Sequence, residues 1–221
     1  MNDLFDEFAA AESTLKIERE HHGKEIKARA IARKIDRVTM RRAKCEAVLH
    51  EILPPSLEMG MSYHVISHGD VDALSYLIHI MRTAELDSLL ISTWCMAMPD
   101  VEWLRAQAED WKIGKIDFVL GEIFPASYPD EYEACVQMEA DEFGTLKIAR
   151  NHAKIMAGCH AASGLYFAIE SSSNINTNPR IEQTAIHMSR ELHDFYRDFY
   201  DGIKSIDGAR YKKPKKKPRE H

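Results

Sequence analysis

The sequence is poor in the features that assign a protein quickly. Cysteine is sparse, and the four residues Cys45, Cys95, Cys135 and Cys159 stand far apart with no CxxC pair. That spacing argues against a disulfide framework or a structural zinc site, and suits a reducing cytoplasm. No run approaches the roughly 18 apolar residues that a membrane-spanning helix needs. The opening MNDLFDEFAAAE is acidic and lacks the basic-then-apolar layout of a secretory signal. There is no internal repeat, and residues 13–52 hold no proline and a single glycine, Gly23. Positive charge is in deficit too: 29 Lys+Arg face 35 Asp+Glu, a formal net charge of −6. Taken as one number, that deficit speaks against a polyanionic partner.

The distribution of charge says otherwise. Residues 14–44 carry +7 and residues 208–221 carry +6, whereas residues 1–13 carry −4 and residues 45–207 carry −15. An acidic body lies between two basic ends. With 221 residues, 45% hydrophobic and 29% charged, the chain is an ordinary soluble one with enough length for a substantial core. The expected division is a basic helical extension over 1–55, an α/β domain over 56–207 and a disordered basic tail over 208–221.

Residues 13–52 read as one long helix, capped by Ser13 or Thr14 and ended by Pro54-Pro55. Beyond it the pattern alternates. Strands are expected at 62–67, 88–96 and 115–121, and helices at 70–84 (capped by Asp70), 99–111 and 129–140. Three short strands follow at about 145–149, 152–157 and 164–170. A last long helix is expected from Pro179 to about Ile203, with Ile181, Ala185, Met188, Leu192, Phe195 and Phe199 on one face. Strand–helix–strand alternation with short connections predicts an α/β layer fold. Trp94, Trp103 and Trp111 read as core, as do Met59, Met61, Met81, Met96 and Met98. His187 and His193 fall on the last helix as structural or exposed residues.

The chemistry concentrates in residues 150–182, RNHAKIMAGCHAASGLYFAIESSSNINTNPRIE. His152 and Lys154, two apart on an expected strand, share a face. The strand GLYFAIE runs into the polar turn SSSNINTN, which sets Ser172 and Asn174 at a strand end, and Glu182 lies one turn into the last helix. These groups suit phosphoryl transfer. An imidazole attacks phosphorus, an ammonium and an amide hold the non-bridging oxygens, and a carboxylate fixes the imidazole tautomer.

This segment resembles the phospholipase D superfamily pattern, HxK followed after a spacer by G/S-S-x-N and a downstream Glu. Here the pattern is His152-Ala153-Lys154, then Ser171-Ser172-Ser173-Asn174, then Glu182. Cys159 stands where the family often has Asp, and Ser171 where it has Gly. The resemblance spans residues 60–203 and is similar to the single-motif branch, in which two chains pair to build one site. It implies a phospholipase D-like mixed sheet flanked by helices, and a homodimer hydrolysing a phosphodiester without metal or cofactor. His152 would be the nucleophile forming a phosphohistidine, with the second chain's His152 protonating the leaving oxygen. Lys154, Asn174 and Ser172 would hold the phosphate and Glu182 would orient a histidine.

The tail bears Lys212, Lys213, Lys215, Lys216, Lys217 and Arg219, a like-charge cluster with no apolar residue and hence no folding role. DNA or RNA is the expected partner, bound through phosphates without sequence reading. The expected function is therefore a cytoplasmic nuclease. Its rivals are a non-catalytic nucleic-acid binder with the same fold and a phosphatidyl hydrolase acting on lipid.

Overall fold

A computed structural model of the chain describes residues 37–175 and 180–206. In chain order the elements are α1 (Arg37–Ile52), β1 (Ser62–His68), α2 (Ala73–Met81), β2 (Ser88–Thr93), α3 (Met98–Glu109) and β3 (Ile116–Gly121). The single turn α4 (Phe124–Ser127), α5 (Pro129–Ala140), β4 (Gly144–Ala149) and β5 (Ile155–His160) follow. A 3-10 turn (Ala161–Ser163), β6 (Leu165–Ser171), β7 (Ile181–His187) and α6 (Arg190–Asp201) complete the described chain.

The strands make one seven-stranded sheet in the order β1-β7-β6-β5-β2-β3-β4. Strands β2, β3 and β4 are parallel, with α3 and then α5 in the two crossovers. From β2 outward through β5, β6, β7 and β1 every pairing is antiparallel. This is the expected α/β class, a mixed sheet flanked by helices. The mostly apolar runs LLIST and IDFVLG bury β2 and β3 on both sides, inside the edge strand β4. A large core joins Leu49, Leu74, Leu77, Ile91, Leu104, Phe118 and Cys135 from strands and helices. A smaller cluster of Leu90, Val119, Ile155 and Ala157 packs with Tyr200 of α6. Among the described residues no helix is long and apolar enough to cross a membrane.

The structure differs from the sequence reading at several points. The expected long helix from Pro179 is a strand, β7, followed by the shorter helix α6. Residues 181–187 (IEQTAIH) carry the β-branched Ile181, Thr184 and Ile186 and pair with neighbours on both sides. Helix α6 starts where the Ser189 side chain accepts from the Leu192 N–H, a cap that the run of apolar positions obscured. His187 accordingly belongs to β7, where its Nδ1 lies 2.8 Å from Ser62 Oγ. The cap of α2 is Asp72, not Asp70, because Asp72 accepts from the backbone N–H of Ser75 while Asp70 accepts from that of His68. Strand β5 begins at Ile155, so His152 and Lys154 precede it. Trp111 is 78% exposed at the end of α3, and Met59 and Met61 are about half exposed, so none of the three is core. Leu49 and Leu53 are buried in the large core, so α1 packs with the body on the N-terminal side of Pro54-Pro55. The remainder of the expected first helix, residues 13–36, lies outside the described residues, as does the tail.

Candidate active site

The direction of the strands brings the candidate residues to one end of the interior strands. The C-terminal ends of β2, β3 and β6 lie there with the N-terminal ends of β5 and β7. Polar side chains at such ends escape the ladder and face the space beyond it.

Residues 150–154 link β4 to β5 without regular structure. His152 is exposed and Lys154 half-buried. The Lys154 ammonium lies 3.0 Å from His152 Nδ1 and donates to the His152 carbonyl oxygen at 2.6 Å. Burial lowers the Lys154 pKa from the ordinary lysine value, against the opposing pull of Cys95 and of the Glu182 carboxylate. Glu182 is thus within electrostatic reach of this ammonium.

The second half of the site follows β6. The backbone N–H of Ser171 donates to the Lys154 carbonyl at 3.0 Å, tying the two segments together. Ser172 Oγ donates to the carboxylate of Glu182 and accepts from the backbone N–H of Gln183 at 3.0 Å. Glu182 is 9% exposed on β7, opposite Ser67 of β1. Its position is therefore set by strand pairing and not by a helical turn. Asn174 Oδ1 accepts from the backbone N–H of Trp94 at 3.3 Å, with the Thr93 hydroxyl 3.3 Å from the same oxygen.

The five residues singled out in the sequence thus form two direct pairs, His152 with Lys154 and Ser172 with Glu182, plus Asn174 anchored to the end of β2. Glu182 accepts a hydrogen bond from Ser172. The six basic residues of the tail lie outside the described residues.

Several neighbours escaped the sequence reading. The Trp94 indole stands 5.7 Å from the His152 ring at an interplanar angle of 53°. It takes the space over Gly121, where an added Cβ would come 2.5 Å from Trp94 Cδ1. Asn151, 9% exposed, reaches back between β2 and β3. Burial pushes the Cys95 thiol up, while hydrogen bonding with Tyr128 and the charge of Lys154 act the other way. Only an asparagine directly before the HxK run was visible as a hint, because the other contacts join segments far apart in sequence.

Cys159 lies at the far end of β5, five residues from Lys154, or about 16 Å at strand spacing. Its thiol is 3.4 Å from Ser88 Oγ. The residue in place of the usual Asp therefore contributes no group to the cluster around Lys154.

No protein-family model matches the chain, and no curated protein does. Solved structures similar to it include a polyphosphate kinase from Porphyromonas gingivalis, 16% identical with a TM-score of 0.48, covering 69% of this chain and 27% of that one. TrmBL2, an archaeal chromatin protein with a novel mode of DNA binding, is 9% identical with a TM-score of 0.47, covering 90% and 65%. A phosphatidylserine synthase from Haemophilus influenzae is 10% identical with a TM-score of 0.46, covering 63% and 37%. The chain spans between about a quarter and two thirds of the length of these structures.

Proposed function

We propose that the protein is a metal-independent phosphodiesterase that hydrolyses DNA or RNA as a homodimer. The observation that supports this reading is the meeting of His152–Lys154 with Ser172, Asn174 and Glu182 at one end of the interior strands. An imidazole and an ammonium sit side by side, with a hydroxyl and an amide on the adjoining segment. In the proposed reaction His152 attacks the phosphorus, the bond to the leaving oxygen breaks, and the second chain's His152 supplies the proton. Water then attacks the phosphohistidine and gives its proton back to that second histidine. Lys154 neutralises charge on the non-bridging oxygens and the Asn174 side-chain amide donates to them, whereas Ser172, its proton given to Glu182, braces that carboxylate. Glu182, buried and bonded to Ser172, fixes the orientation of that hydroxyl and balances the Lys154 charge.

The test is incubation of plasmid and of single-stranded oligonucleotides with the full chain in EDTA, beside His152→Ala. Cleavage that persists in chelator and disappears in the variant is expected. Cleavage that requires a divalent cation overturns the mechanism, and binding without cleavage by the wild type points to the non-catalytic rival.

A further inference from the structure

We propose that Asn151 is the residue that positions His152 for attack, a role that rests on reading His152 as the nucleophile. His152 is exposed, on a segment outside the strands that meets β6 through the Lys154 carbonyl, while residues 151–153 pair with no strand. Left to itself, such a segment would let the imidazole wander by more than a reaction geometry tolerates. The side chain immediately before it removes that freedom. Asn151 Nδ2 donates to Val119 O of β3 at 2.9 Å and to Ser92 Oγ of β2 at 3.0 Å, with Thr93 O at 3.4 Å. At its other end, Oδ1 accepts from the backbone N–H of Ala153 at 3.1 Å. The two residues flanking His152 are thereby pinned to the parallel strands β2 and β3. His152 is held between them, facing Trp94 on one side and Lys154 on the other.

The chemistry of the clamp selects asparagine. The position needs donors toward a main-chain carbonyl and a hydroxyl at one end, an acceptor at the other, and no charge in a buried place. Aspartate would set a carboxylate oxygen against Val119 O. Serine would not span from the strands to Ala153. An apolar side chain would leave the Val119 carbonyl without that donor.

Asn151→Asp and Asn151→Ser in the full chain test the proposal on a phosphodiester such as bis-p-nitrophenyl phosphate. Turnover is expected to fall about 100-fold with KM within about twofold of the wild type, since the phosphate-holding groups are untouched. In parallel, the heteronuclear 15N NOE of the His152 and Ala153 amides should drop while that of the β2 and β3 amides is kept. Ser92→Ala, which removes one partner of the Asn151 amide together with the Ser92 bonds to the Ala153 carbonyl and the Tyr200 hydroxyl, provides a milder variant should the others fail to fold. Wild-type turnover in Asn151→Ser, or an unchanged NOE at His152, overturns the role. If the wild type cleaves nothing, the phosphodiesterase reading fails, and the NOE comparison still decides whether Asn151 orders His152.

Discussion

Lys154 is the residue where burial and charge compete. Burial lowers its pKa from the ordinary value of 10.5, so the ammonium gives up its proton earlier than an exposed lysine as the pH rises. A phosphate held by that ammonium is then released in the same range. KM for a phosphodiester is expected to climb as the pH is raised toward about 10, with turnover less affected. Lys154→Arg, whose guanidinium keeps its charge, should flatten that climb. A pH–KM profile on both chains checks this, and a flat wild-type profile would contradict it. The residue types themselves were legible: imidazole, ammonium, hydroxyl, amide and carboxylate all stand within residues 152–182. Their partners were not, because Trp94, Thr93 and Val119 reach the site only through the sheet. Asn174 meets Trp94 across 80 residues of sequence.

At the scale of elements, an ion pair joins α6 to the sheet beside the apolar packing of Tyr200. Asp117 of β3 is 5% exposed and takes Arg197 of α6 at 2.9 Å, Lys115 at 3.0 Å and the Thr145 hydroxyl at 2.6 Å. Burial pushes its carboxyl up, but those three donors together outweigh burial and leave it below the ordinary value. A carboxyl depressed in the folded state adds stability above its unfolded pKa and loses it as the pH falls through the folded one. Arg197→Ala should therefore cost about 2 kcal/mol at neutral pH, where two donors still remain to Asp117, and less at an acidic pH below the ordinary aspartate value. Urea melts at the two pH values measure the difference; equal losses would mean that the arginine acts by packing alone. Strands β2 and β3 were legible because burial on both faces leaves short, mostly apolar runs, SLLIST and IDFVLG. Strand β7 was not. Its Ile181 and Ala185 fall at helical spacing, and only pairing with β1 and β6 decides between the two periods. That misreading also set Glu182 on a helix, though its place beside Ser172 comes from the ladder.

For the whole molecule, one HxK segment supplies one nucleophile, so the proposed reaction needs two chains. Mixed one to one with His152→Ala and allowed to exchange, the wild type should lose about half its activity per wild-type chain through inactive heterodimers. Undiminished activity would count against a shared site. The basic tail gives a second expectation. Deleting residues 208–221 should weaken nucleic-acid binding and flatten its log–log salt dependence by about 0.7–0.9 for each phosphate the tail had neutralised, with the melting temperature unchanged. Binding titrations at several salt concentrations test this, and an unaltered slope would assign the tail another task. The −6 sum is silent on both points, since the site lies in the −15 body and the tail supplies +6. The closeness of Trp94 to Gly121 has a consequence for the molecule's history. A side chain at Gly121 must displace the indole, and the carbonyl oxygens of Trp94 and Asn151, each 3.2 Å from the added carbon, crowd it further. Trp94 can shrink while Gly121 waits, but Gly121 cannot grow while Trp94 remains. Substitution at this pair therefore runs in one order along any line of descent. Among the chain's descendants, tryptophan at the first position together with a larger residue at the second is the combination that should be missing.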